Sequence, residues 1–164
     1  MRKYVWPIIA ILGAVAMQGS LPRWLSVFGG RPDLVLVVLV AFALASEPEF
    51  GATLGFIAGL GHSAVVGASM GSFIVTRTIT GVLAGLVNTR LFRDNPIVPT
   101  VAAVWLTAVC EGLFLLANPR PYLMSAVKVV LGECILNALL TLLLCLVLRQ
   151  FETRRRIRLA DARI

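Results

Sequence analysis

The sequence predicts an all-α integral membrane protein, a bundle of six transmembrane helices. Three observations predict it: apolar residues dominate, they come in continuous runs, and positive charge gathers at the ends of those runs. Of 164 residues, 59% are hydrophobic and only 14% charged, with a mean hydropathy of +0.91. A soluble domain of this size lacks the polar side chains to cover such a surface, whereas lipid is itself an apolar solvent. Lipid also obliges every backbone polar group to pair within a helix or a closed barrel. Continuous rather than alternating apolar runs select helices. The length suits one domain, divided here into a helical part, 1–148, and a basic tail, 149–164.

Six segments follow in order. The first runs from Tyr4 to Leu21 and is ended by Pro22. Arg2 and Lys3 before it resemble the start of a signal peptide, but no small-residue cleavage site leads into a soluble region, so the segment reads as a retained helix. A short amphipathic stretch, Arg23 to Gly30, carries Trp24, Leu25, Val27 and Phe28 and is expected along the membrane interface. Segment two is Leu34 to Ala45, three is Phe50 to Val66, four is Met70 to Leu86, five is Ile97 to Ala117 and six is Tyr122 to Leu148. Segments two to four are short against the roughly 20 residues of a perpendicular span, so a re-entrant hairpin is an alternative there.

Orientation follows from charge. The net charge is +7, with Arg2 and Lys3 at one end and Arg154, Arg155, Arg156, Arg158 and Arg163 at the other. Basic ends beside apolar spans read as cytoplasmic flanks, not as a nucleic-acid-binding tail. With Arg90 and Arg93 between segments four and five, six spans put all three basic regions on one side. Arg23 and Arg31 in the first outer loop, and Glu47 and Glu49 in an inner turn, run against this trend.

Glycines mark helix faces. Gly51, Gly55 and Gly59 recur at spacing four, as do Gly67 and Gly71, and Gly81 and Gly85. Small residues at that spacing let helix backbones approach closely, and dispersion then replaces the missing hydrophobic drive. Such faces serve packing within the chain or docking of a partner's transmembrane helix.

Ionisable groups inside spans are costly and must meet a partner or a cavity. Arg77, Glu111, Lys128 and Glu133 are of this kind, with Asn137 one turn beyond Glu133. Two acids and two bases suggest mutual neutralisation, for instance of Arg77 by Glu111 or Glu133, with the gripping of a partner or a polar ligand as the alternative, while Lys128 can snorkel to the headgroups. Asp33 after Pro32 reads as a helix cap. His62, the only histidine, reads as a loop or cavity residue, and Asp94 and Asn95 before Pro96 as a turn.

No catalytic template fits. A phosphate-binding glycine loop, a zinc helix and a serine nucleophile motif are all missing. Cys110, Cys134 and Cys145 lie within apolar segments and act as small hydrophobes. Neither a metal nor a cofactor is expected, and the chain is not expected to be an enzyme.

The order of motifs resembles a known family. Pro32-Asp33 before an aliphatic run leads to Phe50-Gly51-Ala52-Thr53-Leu54-Gly55-Phe56-Ile57-Ala58-Gly59-Leu60, then to Gly67-Ala68-Ser69-Met70-Gly71 and Gly81-Val82-Leu83-Ala84-Gly85-Leu86. Arg90-Leu91-Phe92-Arg93-Asp94-Asn95-Pro96 completes the series. This resembles the rod shape-determining protein MreD family, most densely from Arg31 to Pro99. The resemblance implies a non-enzymatic inner-membrane scaffold of the bacterial cell-elongation complex. It would bind MreC, a bitopic protein, and act indirectly with MreB, RodA and its penicillin-binding transpeptidase in lateral peptidoglycan synthesis and cell shape. It also implies a fold like the substrate-binding S component of energy-coupling-factor vitamin transporters, which supplies the rival function. One departure is that Ser63, beside His62, stands where MreD-like chains often carry an aspartate, so no role of that carboxylate is carried over.

Overall fold

A computed structural model describes residues 2–22, 24–67, 69–87, 97–119 and 122–161, with the backbone alone for residues 2–4, 148–149 and 151–161. Six helices follow one another: α1 (Arg2–Gln18), α2 (Leu34–Ala43), α3 (Pro48–Val66), α4 (Met70–Val87), α5 (Ile97–Ala117) and α6 (Leu123–Asp161). No strand occurs among the described residues. Four helices, α3 to α6, are long and apolar enough to cross a membrane, while α1 and α2 are shorter apolar helices. Large apolar side chains such as Phe56, Val75, Leu116 and Leu123 stand on the outer surface. In water they would be a liability; in lipid they face their own kind.

Helix α2 is the axis of the bundle. Its sequence, LVLVVLVAFA, has no polar face, and a helix that is apolar all round belongs inside. It packs against all five other helices, and Val35, Leu36, Val37, Leu39, Val40 and Ala43 are buried. The others stand around it in the order α1, α3, α4, α5, α6, each touching the next.

The tightest seam joins α3 and α4, and glycines make it. A Cβ added to Gly59 would lie 2.6 Å from the Ile74 Cα, and one on Gly85 would lie 2.6 Å from the Pro48 Cα. Side chains at Gly51 and Gly81 would each overlap the other's carbonyl group, and one at Gly55 would overlap the Arg77 backbone. All five glycines therefore pack within the chain. Gly67 and Gly71 do not join the seam, having nothing near a would-be Cβ. Gly67 instead ends α3 with a left-handed φ of 71°, which a residue with a Cβ adopts at a cost.

Two assignments differ from expectation. Residues 24–30 form a tight turn: Val27 and Gly30 exchange backbone hydrogen bonds of 2.9 Å, with Phe28 and Gly29 at positive φ. The turn packs on α6, where a side chain at Gly30 would come within 2.8 Å of the Glu133 nitrogen. Trp24 and Phe28 remain exposed. Helix α6 does not stop at Leu148 but continues to Asp161. His62 lies within α3, inside the bounds expected for segment three, and is buried in the interior rather than placed in a loop. Arg23, Arg90, Arg93, Asp94, Asn95, Pro96 and Arg163 lie outside the described residues.

Candidate functional site

The most polar place in the interior is the start of α2. Asp33, following Pro32, takes the N-cap with extended backbone (φ −102°, ψ 90°). Its carboxylate Oδ1 accepts from the Leu36 amide at 2.9 Å, satisfying one of the free donors of a first turn. Because α2 is central, this helix start lies inside the bundle and its remaining amides need partners there.

Other helices supply them. Gln18 at the end of α1 accepts from the Leu34 amide at 2.8 Å and donates to the Pro32 carbonyl at 3.1 Å. Asn137 on α6 accepts from the Asp33 amide at 2.8 Å and donates to Thr107 on α5 at 3.3 Å. Arg77 on α4 forms an ion pair with Asp33 Oδ2. The same guanidinium nitrogen lies 2.6 Å from His62 Nδ1 on α3. A guanidinium only donates, so Nδ1 accepts and the imidazole proton is assigned to Nε2. Every helix thus contributes a side chain or a backbone group to one network.

Aromatic packing seals it. The Phe73 ring stacks on His62 with centroids 4.8 Å apart and 14° between planes. It leans on Phe114 of α5 at 4.7 Å and lies under the Arg77 guanidinium at 5.2 Å. Arg77 also donates to the Cys110 sulfur at 3.7 Å. Arg77 is 1% exposed, Asn137 1% and Asp33 8%. A charge this deep is tolerable only when an opposite charge and hydrogen bonds replace the lost water.

One expectation is corrected here. The carboxylate that meets Arg77 in an ion pair is Asp33, where Glu111 or Glu133 was expected, because the central position of α2 brings its cap opposite α4. Asp33 is consequently both cap and counter-ion. Glu111 and Glu133 each hold an interaction of their own, and Lys128 lies exposed near the start of α6. Sequence reasoning missed His62, Gln18 and Thr107. The signal that could have found them was the all-apolar α2, since a buried helix must have a buried start.

Chemically the network is occupied with itself. Asp33 spends its oxygens on the cap and on Arg77, and His62 spends its acceptor nitrogen on the same cation. No group of three metal-ligating side chains occurs among the described residues. A separate groove between α1 and α3, lined by Leu12, Ile57, Leu60, Ala64 and Met70 with Ser63 at its edge, is mainly apolar.

No curated protein and no solved structure matches the chain. A family match extends over residues 1–154, nearly the whole chain, including both the glycine seam and the network around Asp33. On that match, the chain belongs to the rod shape-determining protein MreD family, a family of shape-determining membrane proteins.

Proposed function

We propose that this protein is a non-enzymatic scaffold subunit of the bacterial cell-elongation complex. In this reading it sits in the inner membrane with six spans and both termini in the cytoplasm. Residues 1–148 form the helical domain, and residues 149–164 carry a basic tail that α6 extends into. It binds an MreC-like bitopic protein and, through it, supports MreB, RodA and the penicillin-binding transpeptidase in lateral peptidoglycan synthesis.

The observation that carries the reading is the family match over residues 1–154. The interior agrees with it, because Arg77, Asn137, Asp33 and His62 are engaged with one another, with the buried Arg77 Nε left without a hydrogen-bond partner. Such an interior holds a shape and leaves the outer faces for partners. The alternative, a vitamin-binding S component with its six-helix fold, requires Arg77, Glu111, Lys128, Glu133 and Asn137 to line a polar pocket. The engagement of Arg77 with Asp33 and of Asn137 with Thr107 weighs against that.

Co-purification from mild detergent with an MreC-like partner tests the proposal. Stoichiometric retention through size exclusion is the expected result. A monodisperse chain that never retains the partner contradicts it. A ligand-dependent rise in melting temperature in a vitamin screen would favour the transporter reading.

A further inference from the structure

Helices α1 and α3 run side by side in the same direction. A Cβ on Gly61 would lie 2.8 Å from Val15, and one on Gly19 would lie 3.4 Å from Val65. Beside this line of contact the two helices part. The groove between them has a volume of about 570 Å³, with Leu12, Ile57, Leu60, Ala64 and Met70 as its walls. Ala64 is small, and Gly67, which also lines the groove, has nothing near a would-be Cβ. Helix α3 therefore presents a hollow that longer side chains would have filled. Helix α1 has little else to lean on, since among the described residues it packs on α2 and α3 alone.

The groove is polar at one end only. Ser69 stands exposed at the α3–α4 connection, where its hydroxyl donates to Asn118 at 3.2 Å. Further in, the Ser63 hydroxyl is already spent on the Leu60 carbonyl at 2.8 Å. From there the lining is hydrocarbon, down to Ile57 and Leu12. The stretch of α3 from Gly67 to Ile57 is about 15 Å long. A polar mouth at the helix ends above an apolar trough repeats the order of groups along one lipid molecule.

Size decides what fits. A methylene needs about the 30 Å³ of a water molecule, so the groove takes on the order of 20 of them, which is one acyl chain. An α-helix about 10 Å across would need more than about 1,000 Å³ over the same length, and an apolar trough stays dry. We infer that this groove holds one acyl chain of a phospholipid from the leaflet on the Ser69 side, a structural ligand that wedges α1 against α3. The site reads the chain and not the headgroup, because none of its described lining residues is charged. This goes beyond the scaffold reading and does not depend on it.

The test starts from the full chain purified in a mild detergent and weighed intact by native mass spectrometry. Wild type should retain one phospholipid per chain. Ala64→Trp puts a ring into the groove, so retention should fall about ten-fold while the protein melts no lower than wild type stripped of lipid. Val75→Trp, on the exposed face of α4, should retain the phospholipid. Stripping wild type with a harsher detergent should lower its melting temperature. A diacyl phospholipid should then restore it, and glycerophosphocholine, a head without chains, should not. A photo-crosslinking residue at Leu60, irradiated after purification, should capture a phospholipid, and it decides alone if Ala64→Trp fails to fold. Wild type without a retained phospholipid, or a folded Ala64→Trp that keeps it, overturns the inference. So does restoration by the headgroup alone or by a polyprenyl phosphate in place of a phospholipid, or a Leu60 crosslink to a second copy. Each of these leaves the scaffold reading standing.

Discussion

The α3–α4 seam and the network at the start of α2 hold helices together by opposite means. In the seam, Gly51, Gly55, Gly59, Gly81 and Gly85 remove side chains so that backbones touch. In the network, Gln18, His62, Arg77, Thr107 and Asn137 extend side chains across the bundle to reach Asp33, its neighbours or one another. The first uses dispersion over a long contact, and the second uses a few polar bonds in a low-dielectric interior. Lipid makes both necessary, since apolar side chains gain little by leaving it for a protein interior. The difference lies in how each fails. A seam gives way gradually as volume is added, but a network with one member removed leaves a charge or a donor stranded.

The sharpest way to expose that difference is Asp33→Ala. It strands the Arg77 guanidinium and uncaps α2, and breaking a buried ion pair costs about 3–5 kcal/mol. Thermal unfolding in nanodiscs should show a large loss, or no folded protein at all. Gly55→Leu comes next, because its side chain would meet the Arg77 carbonyl and Thr78. Overpacking of this kind costs about 1–3 kcal/mol, and more when backbone must move. A Gly55→Leu protein that melts like wild type would mean that the seam is looser than its geometry states. Asn137→Ala leaves the buried Asp33 amide without its acceptor, for about 1–3 kcal/mol, readable as a lower melting temperature. Smallest is Thr141→Val. The Thr141 hydroxyl is buried without a partner, so removing it should be neutral or stabilising by up to about 1 kcal/mol. A clear destabilisation there would assign that hydroxyl a partner.

The two regions also differed in how far the sequence disclosed them. Spacing four along a single segment is a local pattern, and Gly51, Gly55 and Gly59 could be read as a face without knowing what lay opposite. The order of the six helices was legible for the same reason, as was the cap at Asp33 after Pro32. The network was not, because its members come from separate segments and only the position of α2 brings them together. Counting acids and bases paired Arg77 with Glu111 or Glu133, the acids nearest in type and depth. Asp33 had already been assigned to its own helix, and nothing in a one-dimensional reading says that a cap can also be a counter-ion. His62 was obscured for the same reason: a single histidine read as a loop or cavity residue carries no sign of its partners, which come from α2 and α4. The groove between α1 and α3 was invisible for a further reason: it is a space, and sequence records only residues that are present.

A double-mutant cycle on Asp33 and Arg77 tests most directly whether charge pairing fixes the start of α2 within the bundle. The three variants are Asp33→Ala, Arg77→Met and both together, followed by unfolding in the same lipid. With the cation gone, no charge is left stranded, although the Leu36 amide stays uncapped as in Asp33→Ala, so the double variant should be no less stable than Asp33→Ala alone, a coupling of at least about 2 kcal/mol. Losses that simply add, to within about 0.5 kcal/mol, would mean that the two side chains do not depend on each other and that something else holds α2 in place.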